Sequence, residues 1–437
     1  MNSEHQASHT DLVRHNMGWG IAQGALAEAG KTLADPNMVL ALFLRQLGGS
    51  HLLVGLLASI RHEGLLLPQL IVASHIETKP KKGPYYVGAE LIRSAGYLFI
   101  ALAIVCLSKP SLVLPVFLVA FLVSHLAHGV GSVPNFDVIG RVVPADQRGS
   151  FFARRKLSAG LCGLMAGLAV RQILSAGGTG APPMSRYAWL IALAALFFAL
   201  TAATFSRIVE PISTVNRKES VSWSTQLRRA PGLLTANRPF RTLTVTLLLM
   251  DVARRLADPF FMIFATEVLH SPVAVAGFYL SALVCSNIAS NLFWERLSRY
   301  RPNRITLQFS AAAAAVAPAF ALAVGFAADS ATFAFPEWNT VIAAAFGLVY
   351  LVLGFRDSGK FIGKRGVLLD VAPIERLPTY WGLLNTLLGL MGILPLLAGK
   401  VVDLVGFQPV FGMAVAAASV SWWFSRRLEA KGALAGA

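Results

Sequence analysis

Charge is scarce in this sequence, and acidic charge is the scarcer kind. Charged residues make up only 14% of the 437 residues and hydrophobic residues 55%, and 22 Asp and Glu stand against 38 Lys and Arg. A soluble domain carries about 25% charged residues, so this composition is typical of an integral membrane protein. At about 20 apolar residues per spanning helix, the chain accommodates about a dozen spans and no soluble domain.

Other features are missing as well. The 3 cysteines all lie in apolar runs, where a thiol packs as a small side chain, so neither disulfides nor a metal site are indicated. The polar first ten residues lack the apolar core of a removable signal peptide. There is no glycine-rich phosphate loop, no metal-ligand spacing and no nucleophile beside a base and an orienting acid. We therefore expect no enzyme activity, no cofactor and no nucleotide-driven pumping.

The apolar segments predict an all-α polytopic membrane protein with about twelve transmembrane helices, arranged as two six-helix repeats. Residues 1–208 hold the N-terminal half and residues 239–437 the C-terminal half. Between them, the polar segment 209–238 is predicted to be a cytoplasmic linker with a short amphipathic helix at the membrane surface. Span one is expected over about 18–47, with a kink at Pro36.

The net charge of +16 comes mainly from Lys and Arg in the loops between these segments. Most of the basic loops fall on one side of the predicted topology, and the positive-inside rule makes that side cytoplasmic. We therefore expect both termini in the cytoplasm and the protein in the cytoplasmic (inner or plasma) membrane. Loop charge of this kind accounts for the basic balance without nucleic acid, so no nucleic-acid partner is expected.

One motif occurs twice, in the first and in the seventh predicted span. Residues 28–36 read EAGKTLADP and residues 251–259 read DVARRLADP. In both copies an acid, a base three residues later and a second acid four residues further are predicted to share one helical face, because these spacings stack side chains on a helix. The aligned pairs are Glu28 with Asp251, Lys31 with Arg254, and Asp35 with Asp258. Each copy opens one half of a duplicated protein.

These features resemble the major facilitator superfamily, whose members have six plus six spans about a long inner loop and an acidic-then-basic turn after span two. The family's turn is written Gly-x-Leu-Ala-Asp-Arg-x-Gly-Arg-Arg. Here Glu77 stands at the aspartate, Lys81 and Lys82 at the paired bases and Ala73 at the first glycine, while the leucine, the arginine and the second glycine are replaced. The resemblance implies alternating access about a central site.

Charged side chains within the predicted spans are the candidate substrate and ion site. An ionised side chain at the bilayer centre costs about 2.5–3.5 kcal/mol, so such residues usually have a function. The resemblance implies that spans one and seven line the central cavity, with the two motifs facing each other. The candidates are Glu28, Lys31, Asp35, Arg61, Glu63, Asp251, Arg254, Arg255 and Asp258. The alternative is that these acids and bases only neutralise one another and fix helix packing.

Charged turns at the inner ends of helices are the candidate gate. We predict that the acid of each turn pairs with nearby basic residues and stabilises the state in which the inner gate is closed, against the alternative of a solvated charged loop. The gating candidates are Glu77, Lys81, Lys82, Arg148, Glu295 and Arg296.

Two further groups have two interpretations each. His125 and His128 in span four either carry protons or pack with hydrogen bonds. Arg356, Asp357 and Lys360, at the predicted inner end of span ten, either take part in gating or reach to the membrane interface.

The basic candidates suit the paired oxygens of a carboxylate or phosphate, and the acids beside them keep the site from being strongly positive. We therefore predict a monomeric secondary active transporter of a small organic anion or zwitterion, driven by protons that titrate Glu28, Asp35, Asp251 or Asp258. Its partners are the small-molecule substrate, protons and the lipid bilayer. Two alternatives stay open: efflux of amphipathic compounds, weakened because span five lacks the family's Gly-Pro drug-antiporter signature, and a receptor or scaffold that transports nothing.

Overall fold

The computed structural model describes residues 2–62, 64, 79–107, 109–144, 146–175, 182–211, 232–328, 336–373 and 377–428. Every regular element within these ranges is a helix. Two predicted site residues, Glu63 and Glu77, lie outside the described residues, and so does most of the predicted linker, at 212–231.

The chain divides into two compact units. The first contains Met1–Gly49 and Ile60–Ser220, and the second contains Ser50–Ser59 and Val221–Ala437. The division falls within helix α3 (51–62), so the first turns of this helix belong to the second unit and its end belongs to the first.

The first unit is a bundle of helices around an aromatic core. Besides the end of α3 it contains α1 (Asn2–Leu33), α2 (Val39–Gln46), α4 (Gly83–Cys106), α5 (Pro110–Val142), α6 (Arg148–Ser175) and α7 (Met184–Phe205). Helix α1 packs on α6 and α7, and α4 packs on α5 and α7. The ring of Phe43 lies with its centroid 5.4 Å from those of Phe117 and Tyr187, which joins α2 to α5 and α7 in the core.

The second unit is also a bundle of helices. It contains α8 (232–236), α9 (Arg238–Ala257), α10 (Phe261–Glu267), α11 (Val275–Tyr300), α12 (Asn303–Ala328), α13 (Pro336–Val371), α14 (Leu377–Gly389), a 3₁₀ turn (Leu390–Ile393), α15 (Leu394–Val405) and α16 (Phe407–Ser425). Helix α16 packs along α9 and α12, and α13 packs on α11 and α12. The buried rings of Phe261 and Phe264 on α10 each lie with their centroid 5.3 Å from that of Phe411 on α16.

Eight segments of the described chain are long and apolar enough to cross a membrane. They are Gly83–Cys106, Pro110–Val142, Arg148–Ser175, Met184–Phe205, Val275–Tyr300, Asn303–Ala327, Val341–Val371 and Thr379–Val405. The predicted spans one and seven are not among them; each carries the repeated charged motif and is interrupted. The count of about twelve spans therefore remains a prediction.

Both copies of the repeated motif interrupt their helix. Helix α1 ends at Leu33 and α9 ends at Ala257. The proline two or three residues later has no N–H and disfavours helical geometry in the residue before it. In the first copy, a carboxylate oxygen of Asp35 accepts a hydrogen bond from the backbone N–H of Asn37 at 2.9 Å, which closes a local turn. The prediction that all three charges share one continuous helical face is wrong for the first copy, because Asp35 lies at the break. In the second copy Asp258 directly follows the last helical residue and keeps helical backbone geometry, with its N–H bonded to the carbonyl of Arg254 at 2.9 Å.

Candidate functional site

Asp251 on α9 lies at the centre of a buried cluster of charges in the second unit. Its carboxylate accepts hydrogen bonds from Nε of Arg254 at 3.2 Å and from Nε of Arg255 at 3.4 Å, one turn away on the same helix. The ammonium group of Lys360 on α13 is its third basic partner. The side chains of Asp251 and Arg255 are only 4% and 3% exposed, so these charges are held inside the protein.

Asp258, the second acid of the motif, binds Arg356 of α13. The two terminal guanidinium nitrogens donate to its two carboxylate oxygens at 2.9 and 2.8 Å, in the bidentate geometry that arginine favours. Nε of the same arginine donates to Asp357 at 2.9 Å. The Arg356 side chain is 3% exposed, so the interpretation that it reaches to the membrane interface is wrong: a buried carboxylate holds it inside the unit.

Lys364 is a half-buried base beside this cluster that the sequence analysis did not predict. Lys364, one turn after Lys360, donates to the side-chain oxygen of Asn385 on α14 at 2.7 Å, and its ammonium lies 4.9 Å from the ring centre of Trp381. It is within electrostatic range of Lys360, Asp251 and Arg254. Lys364 lies on α13 and its partners lie on α14, so helical spacing does not relate them and the sequence gives no sign of this contact.

The first copy of the motif is more open than the second. Nζ of Lys31 lies 3.5 Å from a carboxylate oxygen of Glu28, and the two side chains are 45% and 39% exposed. Asp35 pairs with Arg61 of α3 at 3.4 Å. In each unit, therefore, the acid before the proline pairs with an arginine from another helix. The acid that opens the motif differs, since within the described ranges Glu28 has one basic partner whereas Asp251 has three.

A buried triad in the first unit joins α4 to α5. Glu90 lies 3.0 Å from Nδ1 of His128 and 3.4 Å from a guanidinium nitrogen of Arg93. That guanidinium packs 3.7 Å from the ring centre of Phe198 on α7. The side chains of Glu90 and Arg93 are 1% and 4% exposed. Of the three, sequence reasoning singled out only His128, because the other two are its neighbours in space and not in sequence.

The same ring nitrogen of His128 faces a donor and an acceptor. Nδ1 lies 3.0 Å from the Glu90 carboxylate and 3.1 Å from the Arg93 guanidinium. With a proton it donates to Glu90, and without one it accepts from Arg93, so it serves one neighbour at a time. The triad therefore has two hydrogen-bonded states, which differ in whether Nδ1 of His128 carries a proton.

His51, at the start of α3, is held between two carboxylates of the second unit. Its Nδ1 lies 2.7 Å from Asp403 of α15 and its Nε2 lies 2.8 Å from Glu267 of α10. Asp403 also accepts hydrogen bonds from the backbone N–H groups of His51 and Leu52, at 3.0 and 2.9 Å, and so caps the N terminus of α3. None of these residues was a sequence candidate.

The predicted gate of the second unit contains one exposed ion pair. Glu295 lies 2.6 Å from Arg299, one turn later on α11, with the two side chains 58% and 69% exposed. Arg296 is exposed and has no carboxylate partner among the described residues. An exposed pair contributes only about 0–1 kcal/mol, so its role in gating remains a prediction.

The predicted gate of the first unit is partly buried. Lys82 is 5% exposed and pairs with Asp137 of α5 at 3.1 Å. Arg148 donates to the backbone carbonyl of Gly140 at 2.7 Å, and Lys81 is exposed. These contacts connect the start of α4 and the start of α6 to the end of α5. Their role in gating remains a prediction.

The sequence profile of the Major Facilitator Superfamily matches residues 22–394. This range contains both copies of the repeated motif and all residues of the two buried clusters. No curated protein sequence matches the chain.

Solved transporter structures share the fold. A mutant of the nucleoside transporter NupG is 14% identical with a TM-score of 0.69, over 95% of this chain and 99% of that one. A POT family transporter in complex with 5-aminolevulinic acid is 11% identical with a TM-score of 0.68, over 94% and 95%. The xylose transporter XylE from E. coli is 10% identical with a TM-score of 0.66, over 95% and 98%. At these identities the likeness concerns the fold alone.

Proposed function

We propose that this chain, which belongs to the Major Facilitator Superfamily, is a proton-coupled secondary transporter that moves a small organic anion or zwitterion by alternating access. Family and fold indicate a transporter and not an enzyme. The observation that carries the substrate class is the buried cluster around Asp251, in which basic side chains outnumber acidic ones.

Among the described residues, five basic side chains and three acidic ones make up this cluster, an excess of two positive charges: Arg254, Arg255, Arg356, Lys360 and Lys364, with Asp251, Asp258 and Asp357. Buried charges need partners, and an anionic substrate supplies the missing negative charge. Arg254, 23% exposed, and Lys364 are the bases that a ligand reaches. Asp357, 41% exposed, is available to the ammonium group of a zwitterion.

Proton coupling is supported by the first unit more than by the second. In the described part of the chain, protonation of Asp251 would break three ion pairs, whereas protonation of Asp35 would break one, its 3.4 Å pair with Arg61. Among the four predicted carboxylates, Glu28 and Asp35 are therefore favoured as proton carriers. The Glu90 and His128 pair is favoured over these carboxylates, because a proton on Nδ1 of His128 decides whether this nitrogen bonds Glu90 or Arg93.

The substrate class is tested by thermal unfolding of the purified protein with carboxylates, organic phosphates, amino acids and lipophilic cations. We expect an anion or zwitterion to stabilise the protein, by about 2.7 kcal/mol when its concentration is 100 times the Kd. Arg254→Gln should weaken this effect. Stabilisation by lipophilic cations alone, kept in Arg254→Gln and Arg255→Gln, would contradict the proposal and support efflux of amphipathic compounds.

We also propose that both termini and the linker 209–238 face the cytoplasm, since the basic loops lie on that side. In a variant without Cys106, Cys162 and Cys285, a cysteine placed at Ser220 should react with a membrane-impermeant maleimide only after the cells are permeabilised. Labelling of Ser220→Cys in intact cells would reverse the orientation.

A further inference from the structure

Five arginines converge on one cavity in the second unit. The cavity has a volume of about 540 Å³ and is lined by Arg238, Arg241, Arg304, Arg426 and Arg427. No acidic residue is among the described residues that line it. The cavity is separate from the cluster around Asp251, none of whose residues line it.

The five arginines come from the ends of three different helices. Arg238 and Arg241 lie in the first turn of α9, Arg304 lies in the first turn of α12, and the other two directly follow α16. Helix α16 packs along both α9 and α12, which brings these ends together. The N terminus of a helix carries partial positive charge and unsatisfied N–H groups, so two of the three ends add to the attraction for an anion.

Positive loop charge alone does not account for this arrangement. Elsewhere in the unit, basic side chains such as Arg299 and Arg356 have carboxylate partners, whereas none of the five cavity arginines has one among the described residues. Arg304 donates from Nη1 to the backbone carbonyl of Leu428 at 3.2 Å, but its Nε is buried with no hydrogen-bond acceptor in the described chain. A buried donor left unsatisfied costs about 1–3 kcal/mol, so this one calls for an acceptor that a ligand supplies.

Aromatic side chains place the cavity at the level of the lipid headgroups. The guanidinium groups of Arg426 and Arg427 lie 5.2 and 3.5 Å from the ring centres of Trp422 and Trp423. These indoles are 41% and 46% exposed at the end of α16. Tryptophans are enriched at the interface between hydrocarbon and water at the ends of membrane helices, and α16 corresponds to the last of the twelve predicted spans.

We propose that this cavity binds the phosphate group of an anionic lipid. The planar fork of arginine matches phosphate oxygens, and basic residues near the membrane surface are attracted to anionic leaflets. A soluble organic phosphate has the same chemistry, but the exposed tryptophans that lie against two of the cavity arginines favour a ligand that also has acyl chains. The site is independent of the transported substrate. With the orientation proposed above, the cavity faces the cytoplasmic leaflet, and only this placement rests on the proposed function.

Native mass spectrometry of the full-length protein in detergent tests this site, with phosphatidylglycerol and phosphatidylcholine as lipid probes and glycerol phosphate as the soluble probe. We expect saturable binding of phosphatidylglycerol and much weaker binding of the other two. Arg241→Gln with Arg427→Gln should weaken phosphatidylglycerol binding about thirtyfold, since each basic residue near an anionic surface contributes roughly a factor of five. Both side chains are exposed, so their replacement should not disturb folding.

The matched control is Arg154→Gln with Arg301→Gln, which removes the same charge from exposed positions outside the cavity. It should keep the wild-type affinity, and Arg241→Lys with Arg427→Lys should restore part of the binding. If both double glutamine variants bind phosphatidylglycerol equally weakly, surface charge alone explains the binding, and the proposed site is wrong. Glycerol phosphate binding as tight as phosphatidylglycerol would overturn the lipid assignment.

Discussion

Arg356→Gln is expected to lower the stability of the protein more than any other single substitution in the candidate site. The change leaves the buried carboxylate of Asp258 without the guanidinium that now binds both of its oxygens. Removing one partner of a buried ion pair costs about 3–5 kcal/mol, because the other charge stays desolvated. Thermal unfolding of the purified protein in detergent measures the loss.

Two variants serve as controls for this result. Arg299→Gln breaks the exposed pair with Glu295 and should cost about 0–1 kcal/mol. Asp258→Asn combined with Arg356→Gln removes both charges and should be more stable than Arg356→Gln alone. If Arg356→Gln costs no more than Arg299→Gln, the pair is not buried as described.

Glu90→Gln is expected to abolish substrate accumulation driven by a pH gradient. Glutamine keeps the shape and the hydrogen-bonding reach of the side chain but carries no charge, so it neither takes up a proton nor stabilises a protonated His128. Exchange of substrate across the membrane needs no net proton movement and should persist. Reconstituted liposomes allow both to be measured with the same protein, as gradient-driven uptake and as counterflow.

Ser94→Ala is the matched control for Glu90→Gln. It removes a buried hydrogen bond from the same helix, from the Ser94 hydroxyl to the carbonyl of Ala195 at 2.7 Å, without touching a charge. It should leave gradient-driven uptake intact. Accumulation that survives in Glu90→Gln would remove the triad from the coupling mechanism and leave Glu28 and Asp35 as the proton carriers.

The repeated motif shows which features of the candidate site could be predicted from the sequence. The identity of LADP at both positions predicted a duplicated site, and both copies have the same construction, with an acid before the proline that binds an arginine from another helix. In the first copy, the sequence missed that the helix ends before this acid. A proline that follows an aspartate favours a turn in which the aspartate bonds the backbone, as Asp35 does with Asn37, and this local preference overrides the spacing that would have kept all charges on one face.

The sequence did not predict which side chains meet between different helices. Periodicity relates residues three or four positions apart, so it placed Arg254 and Arg255 beside Asp251. It carries no information on Lys360, which reaches the same carboxylate from α13, or on Glu90, which meets His128 across 38 residues. A charged residue inside a predicted span indicates that a partner exists, but only the packing of helices identifies that partner.

The central claim, that the excess positive charge of the Asp251 cluster binds an anionic group of the substrate, is tested most directly by one affinity measurement. Isothermal titration of the most stabilising anion or zwitterion into wild-type protein, Lys364→Gln and Lys400→Gln separates the cluster from general charge, since Lys400 is exposed. Loss of a hydrogen bond to a charged group predicts about 10-fold to 100-fold weaker binding in Lys364→Gln and unchanged binding in Lys400→Gln. Equal affinity in all three proteins would contradict the account.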